Sequence, residues 1–231
     1  MSRALLRFAL QLVFLFAAAA ASAAPEKEIT VTLLHMNDVY QISPVDKGAN
    51  GGLARVATLA NAIRKEVPRT VVTLGGDTLS PSVASNTFRG AQMIAVWNAL
   101  KLDVAVLGNH EFDFGPEVLR ERIGESHFPW LGANVSVAGG RAFDGVKPSV
   151  LRNLGGIKIG FVGVITADTA TSSKPGAAVR FGDPIAAARR EAARLRAQGA
   201  QAVVALTHLD LATDQRLAAT GVADVILGGH E

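Results

Sequence analysis

Short apolar runs alternate with longer amphipathic segments in the first half of the chain. The runs at 29–34, 70–74 and 104–107 are rich in Val, Ile and Leu and have the length of strands, whereas 52–67 and 90–100 carry apolar residues at helical spacing. Strands that alternate with helices in this way are typical of βαβ units. The pattern therefore predicts an α/β domain with a parallel sheet.

The alternation is interrupted in the middle of the chain. Residues 116–123 predict a helix, and 128–143 predict a loop-rich stretch. The apolar runs at 150–154 and 157–165 then flank two glycines, which is typical of a β-hairpin. A hairpin inside an alternating pattern predicts two sheets within one domain.

The last part of the chain returns to alternation. Asp183 has the side chain of an N-cap and Pro184 suits the first helical position, so a helix is expected from here to about Gln198. Apolar runs at 203–206 and 222–227 predict two further strands joined by a short helix. No repeat or linker divides the chain, so one domain is expected.

The first 23 residues have the form of a secretory signal. Arg3 and Arg7 precede an apolar run at 8–20, and small residues at 21–23 have the spacing of a cleavage site. The run is short for a membrane span, which needs about 20 apolar residues, so an uncleaved anchor is the less favoured alternative. We expect a secreted or periplasmic mature chain, residues 24–231, with no stable membrane span after cleavage.

Charge and cysteine content exclude several kinds of partner and site. The chain has 23 Lys and Arg against 20 Asp and Glu, and without the signal's two arginines 21 basic side chains remain. No nucleic-acid partner is expected from so even a balance. The sequence contains no cysteine, so it offers neither a disulfide nor a thiolate metal ligand.

Candidate metal ligands follow the apolar runs. Asp, Asn or His occurs at the carboxyl end of five strand-like runs, where open α/β sheets place their ligand sites. One convergent site is therefore expected. Oxygen and imidazole donors suit divalent metals of intermediate hardness, and a carboxylate among them can bridge a metal pair. The residues concerned are Asp38, Asp77, Asn109 with His110, His208 and His230.

The segments that carry these residues resemble, in their order, the calcineurin-like dinuclear metallophosphoesterase family, in particular its secreted 5′-nucleotidase branch. Gly-Asn-His-Glu at 108–111 is the most specific piece. The resemblance implies a two-sheet α/β/β/α sandwich and hydrolysis of phosphomonoesters, 5′-nucleotides or related nucleotides, by attack of a metal-bound hydroxide. The matching segments are Leu34-His35-Met36-Asn37-Asp38, Gly75-Gly76-Asp77, Gly108-Asn109-His110-Glu111-Phe112-Asp113, Leu206-Thr207-His208 and Gly228-Gly229-His230.

The resemblance also implies a role for each matched residue. Asp77 would bridge two divalent or mixed-valence ions, drawn from Zn, Mn, Fe, Co, Mg or Ca. Asn109, His208 and His230 would complete one ion, and Asp38 would hold the other. Asn109 and His110 would contact the phosphate ester; His110, oriented by Asp113, would protonate the leaving oxygen.

Two features depart from the family pattern. Tyr40 stands where a histidine is usual, and a phenol is a poor ligand for Zn²⁺ or Mn²⁺ at neutral pH, so we expect it to support a ligand or to bind weakly. The resemblance also implies a further ligand one residue after Glu231, where this sequence ends, and a separate C-terminal domain that binds the nucleoside. We therefore expect a truncated catalytic domain with its C-terminal end incomplete. The alternative is a fragment that binds phosphate or nucleotide without turnover.

Other histidines and motifs are assigned no catalytic role. His35 lies within an apolar run and is expected to be a hydrogen-bonded structural residue, and His127 is expected to have a surface or packing role. Neither a Gly-x-Ser-x-Gly elbow nor a Gly-x-Gly-x-x-Gly fingerprint is present, which disfavours a serine hydrolase or a dinucleotide-binding protein. The pattern leaves the oligomeric state open.

The signal assignment predicts where the mature chain begins. Because the basic start, the apolar run and the small residues occur in the order that signal peptidase recognises, exported protein should begin near Ala24. N-terminal sequencing of exported protein measures this directly. Intact Met1 in a membrane fraction would show an anchor instead.

Overall fold

The computed structural model describes residues 28–231, and the predicted signal segment lies outside this range. In chain order the strands of the described part are β1 (Thr32–Met36), β2 (Thr70–Leu74), β3 (Val104–Val106), β4 (Trp130–Leu131), β5 (Val135–Val137), β6 (Val146–Lys147), β7 (Ser149–Leu154), β8 (Ile157–Ile165), β9 (Val179–Phe181), β10 (Ala202–His208) and β11 (Val225–Gly229). The α-helices are α1 (Leu53–Glu66), α2 (Val83–Phe88), α3 (Ala91–Leu100), α4 (Pro116–Glu125), α5 (Thr169–Ser172), α6 (Pro184–Ala197) and α7 (Leu211–Ala219).

Two main sheets form the centre of the fold. The first has the order β1-β2-β3-β4-β6, and all its neighbouring strands are parallel. The second has the order β11-β10-β8-β7, with β7 antiparallel to β8 and the other pairs parallel. Strands β5 and β9 form a separate antiparallel pair. The expected hairpin and the expected two sheets are therefore confirmed.

Apolar side chains arrange these sheets and helices in four layers. Alternate residues along the central strands face opposite ways, because side chains on a strand alternate between its two faces. Val71, Val106 and Phe161 belong to the cluster between the sheets. Val72 instead packs with helix residues such as Trp97 on the outer face of the first sheet, while α6 and α7 cover the second sheet. The α/β/β/α sandwich implied by the resemblance is confirmed.

The sheets approach each other closely at Gly163 of β8. A Cβ built on this glycine would collide with the Cβ of Leu131 in β4. A glycine is therefore needed where these two backbones meet. The contact lies within the apolar layer that the two sheets share and helps to fix their separation.

Most sequence-predicted elements occur in the structure, with shifted ends. The helix expected from Asp183 is α6, and the Asp183 side chain accepts from Ala186 N–H as an N-cap. Strands β1 and β11 begin about three residues later than predicted and end next to the candidate ligands. The stretch 128–143 is not wholly irregular, because it contains β4 and β5. Strands of two or three residues are too short to show an alternating pattern.

No helix in residues 28–231 has both the length and the apolar character that a membrane crossing requires.

Candidate metal centre

Strand ends from both sheets meet at the candidate site. Asp77 and Asn109 each lie three residues beyond the ends of β2 and β3, and His208 is the last residue of β10. The His208 ring contacts the loop after β2, with Nδ1 2.7 Å from the Gly75 carbonyl oxygen. His230 directly follows β11, and its backbone N–H donates to Asp38 Oδ2 over 3.1 Å. The residues predicted from five separate runs thus lie together.

The buried carboxylate of Glu111 fixes the loop that carries Asp77. Glu111 is 1% exposed and accepts the backbone N–H groups of Asp77 and Thr78 at 2.9 and 2.7 Å. It also accepts the N–H groups of Leu79 and Gly108. Burial, followed by the negative charge of Asp77, raises the pKa of Glu111, and the N–H donors oppose that rise. One side chain therefore joins the loops after β2 and β3.

Glycines allow these loops to approach His208. A Cβ built on Gly76 would lie 2.7 Å from His208 Nδ1, and one built on Gly108 would collide with Asp77 Oδ1. Gly76 also has a φ of 88°, in the region that favours glycine. Larger residues at these positions would displace the candidate ligands.

Three candidate ligands adopt left-handed backbone conformations. The φ angles of Asp38, Asp77 and His230 are 53°, 58° and 83°. Such conformations cost about 1–3 kcal/mol each for non-glycine residues and persist where the surroundings determine them. The backbone N–H of Asp38 donates to the Gly76 carbonyl oxygen over 3.1 Å, which supports one of these turns. Strain of this kind concentrates at functional sites.

His208 presents one ring nitrogen to the site. When Nδ1–H donates to Gly75, the Nε2 lone pair lies 3.2 Å from both Asp77 Oδ2 and Asn109 Oδ1. Three electron-pair donors then converge, an arrangement that a cation stabilises. Burial lowers the pKa of His208, but the hydrogen bond and charge of Asp77 outweigh burial and leave the pKa raised. A proton and a metal ion would therefore compete for Nε2.

The groups around Asp38 are hydrogen-bond donors. The Tyr40 hydroxyl donates to Asp38 Oδ1 at 2.9 Å and lies 3.3 Å from Asp77 Oδ2. Asn37 donates to the second oxygen of Asp38 at 2.7 Å. Burial would raise the pKa of Asp38, but these donors and the His230 N–H outweigh burial and hold the pKa below its usual range. Burial and the charge of Asp77 raise the pKa of Tyr40, which keeps its phenol protonated.

His110 and Asp113 form a pair at the edge of the site. His110 Nδ1 lies 2.7 Å from Asp113 Oδ2, and Nε2 lies 4.0 Å from Asp77 Oδ2. The imidazole is partly exposed, with 32% of its side-chain surface accessible. Burial lowers the pKa of His110, but the hydrogen bond to Asp113 and the nearby carboxylates outweigh burial and leave the pKa raised. His110 can therefore carry a proton near neutrality.

The remaining histidines lie away from the converging donors. His35 is hydrogen-bonded through both ring nitrogens, to the Thr73 hydroxyl at 2.8 Å and the Gly228 carbonyl at 2.9 Å. These bonds connect β1 with its neighbour β2 and with β11 of the second sheet, which agrees with the structural role predicted for His35. His127 is exposed on the surface.

The converging atoms fit a divalent metal. Asp77, His208 and His230 each offer one ligand atom, and these atoms lie within 4.8 Å of one another. Asn109 Oδ1 adds a neutral oxygen beside His208. Carboxylate, amide and imidazole donors suit ions such as Zn²⁺, Mn²⁺ or Fe²⁺. The glycines that admit no Cβ beside this cluster are consistent with the same use.

Sequence reasoning assigned no role to Glu111 and did not identify the hydrogen-bond partner of Asn37. Glu111 belongs to the Gly-Asn-His-Glu segment, but nothing in a linear sequence shows that its carboxylate accepts from the loop after β2. Asn37 directly precedes Asp38, and its contact with that carboxylate depends on the left-handed turn at Asp38. The one signal for Glu111 in the sequence was an acidic residue directly before the apolar Phe112, close to the end of an apolar run.

Comparison with known proteins agrees with this fold and site. The family described as calcineurin-like phosphoesterase matches residues 31–231, and the chain belongs to this family. Its members use divalent metal ions, and the family and its nucleotidase relatives support a hydrolase of the metallophosphatase kind.

Particular relatives are nucleotidases. A snake venom 5′-nucleotidase of Crotalus adamanteus is 33% identical over 93% of this chain and 39% of its own length. The crystal structure of a 5′-nucleotidase precursor from Thermus thermophilus has a TM-score of 0.80 at 31% identity, covering 87% of this chain and 42% of that one. The NAD nucleotidase of Haemophilus influenzae has a TM-score of 0.79 at 30% identity, covering 88% and 43%. The chain thus spans about two fifths of the length of the relatives it matches.

The Glu111 contacts predict that Glu111→Gln destabilises the fold and the metal centre together. An amide would turn an NH₂ group toward backbone donors and leave at least one N–H unpaired, at a cost of about 1–3 kcal/mol. Denaturant unfolding and Zn²⁺ titration measure the two effects. Glu117→Gln is the matched control, because the Glu117 side chain is 79% exposed. Parent-like stability and affinity in Glu111→Gln would show that the carboxylate does not hold the site.

Proposed function

We propose that the chain is a metal-dependent phosphohydrolase that acts on phosphomonoesters, with 5′-nucleotides or related nucleotides as its substrate class. One observation carries this proposal: the donor atoms of Asp77, Asn109 and His208 converge beside a second carboxylate and the pair of His110 with Asp113. Such a set can bind cations, bind an anionic ester between them, and supply a proton next to it. Family membership supports the same reaction class.

Two metal positions share Asp77 in this proposal. Asn109, His208 and His230 complete the first position, and Asp38 holds the second. Divalent ions held there would neutralise phosphate charge and lower the pKa of a bound water. Asp77, His208 and His230 would hold an ion through three atoms that lie within 4.8 Å of one another. Which metals bind depends on metal availability as well as on these ligands.

His110 protonates the leaving oxygen. Its Nδ1 is engaged by Asp113, so Nε2 is the nitrogen that can hold the proton toward substrate. The raised pKa of His110 favours the protonated ring near neutrality. In this proposal Asp113 orients the ring through its bond to Nδ1, and Asn109 and His110 contact the phosphate group. The edge of the Tyr40 ring also faces His110, with ring centroids 6.0 Å apart.

A cavity next to the site is available for the organic part of the ester. It has a volume of about 640 Å³, within the range of about 300–1,000 Å³ usual for small-molecule sites. Tyr40 lines one wall, and the segment at the start of α2 lines another. The relatives named 5′-nucleotidase and NAD nucleotidase support a nucleotide as the ester. The venom relative and the predicted signal segment support export of the chain.

The assigned role of His110 predicts a dependence on the leaving group. His110→Ala should slow phosphate release from 5′-AMP by roughly 10²–10⁴-fold, because an alkoxide needs a proton to leave. The loss on p-nitrophenyl phosphate should be much smaller, since that leaving group is already stable as an anion. Metal content should be unchanged. Phosphate release from the Mn²⁺-loaded chain and elemental analysis provide both measurements.

His127→Ala serves as the histidine control and should match the parent on both esters, because His127 is exposed on the surface. Equal losses on both esters in His110→Ala, or loss of metal, would move His110 into the metal coordination sphere. Absence of phosphate release from every phosphomonoester, with nucleotide binding retained, would instead favour the alternative of a binding protein without turnover.

A further inference from the structure

The Tyr40 hydroxyl lies between the two candidate carboxylates. Its oxygen is 2.9 Å from Asp38 Oδ1 and 3.3 Å from Asp77 Oδ2. A phenol has one proton and can donate it to one oxygen at a time, or share it between two. The Tyr40 hydroxyl thus lies between two carboxylates that could otherwise bind one cation together.

The remaining contacts of Asp38 are also with hydrogen-bond donors. Asp38 Oδ2 accepts from the Asn37 amide at 2.7 Å and from the His230 backbone N–H at 3.1 Å. Both oxygens of Asp38 are therefore bonded to N–H or O–H groups. A metal ion on this side would have to compete with these donors for the same lone pairs.

Asp77 Oδ2, the oxygen that Tyr40 contacts, also faces the first candidate position. There Asp77 Oδ2 meets His208 Nε2 at 3.2 Å, and Asn109 Oδ1 lies 3.2 Å from the same nitrogen. These groups offer electron pairs once Nδ1 of His208 holds the ring proton. The two positions thus differ in the groups around them: both oxygens of Asp38 accept hydrogen bonds, whereas His208 Nε2 and Asn109 Oδ1 can offer lone pairs.

We propose that Tyr40 makes the two metal positions unequal. The position of Asn109, His208 and His230 binds an ion tightly, whereas the Asp38 position binds an ion weakly because the phenol O–H competes for the Asp38 carboxylate. Tyr40 itself remains a protonated donor and is not a metal ligand. The inference rests on the metal-binding part of the proposed function and is independent of hydrolysis.

Tyr40 is the only tyrosine in the sequence, so its state can be observed without assignment. Protein labelled with ¹³C at tyrosine Cζ gives one signal, whose shift distinguishes a phenol from a phenolate. Zn²⁺ is the probe because it is diamagnetic and prefers nitrogen and oxygen ligands of the kind present. The signal should remain in the phenol range through two equivalents of Zn²⁺. Movement into the phenolate range would show that Tyr40 ligates the metal and would overturn the inference.

Calorimetric Zn²⁺ titration tests the inequality of the two positions. The parent should bind in two steps about 10–100-fold apart in affinity, the range by which groups around a ligand alter metal binding. Tyr40→His should raise the Zn²⁺ affinity of the weaker step toward that of the stronger one, because imidazole can ligate the ion. Tyr40→Phe should keep the tight step and should strengthen the weaker one, because the competing O–H is removed. Two equal steps in the parent, or a second step in Tyr40→Phe that is lost or no tighter than in the parent, would contradict the inference.

Phe88→His is the control for an added imidazole, since Phe88 is 58% exposed and outside the site, and it should leave both steps unchanged. Failure of the inference and failure of the proposed function are distinguishable. Phosphate release with two equal Zn²⁺ steps would overturn only the role of Tyr40. Unequal steps without phosphate release from any phosphomonoester would overturn only the proposed function.

Discussion

The hydrogen bonds that Glu111 accepts are the constraint on which the rest of the site depends. This buried carboxylate takes N–H groups from both the loop after β2 and the loop after β3, and so holds Asp77 against Asn109. Asp77 in turn accepts the backbone N–H of His110 at 2.9 Å. Hydrogen bonds to an ionised carboxylate are stronger than those between neutral groups. Loss of a buried carboxylate is costly because its donors are left unpaired. The first sheet therefore supplies a rigid half of the site.

The second sheet completes the site through apolar packing and close backbone approach. The side chains between the sheets set the distance at which β10 faces β2 and β3. His208 then reaches the Gly75 carbonyl, and glycine at 76 leaves room for its ring. The candidate metal-binding residues thus come from both sheets, and their geometry depends on the same core that stabilises the fold. Fold and site are coupled through ordinary packing.

The sequence was informative where apolar residues form clear runs and where polar residues mark the ends of those runs. Apolar runs that end in Asp, Asn or His indicated which residues would lie at the carboxyl ends of strands, and Asp183 with Pro184 indicated the start of α6. Short elements such as β5, β9 and α2 were not predicted, because their stability comes from tertiary contacts. The partners of Glu111 and Tyr40 are distant in sequence, so their hydrogen bonds become visible only in the folded chain.

In the proposed function, Asp77 serves both metal positions and Asp38 serves one. Elemental analysis of the Mn²⁺-saturated parent, Asp77→Asn and Asp38→Asn tests it most directly, with Asp113→Asn as an acid-to-amide control beside the site. The account predicts that Asp77→Asn loses both ions as a pair, because the amide removes the negative charge that offsets repulsion between the cations. Asp38→Asn should keep the tightly bound ion. Parent-like metal content in Asp77→Asn would contradict the account.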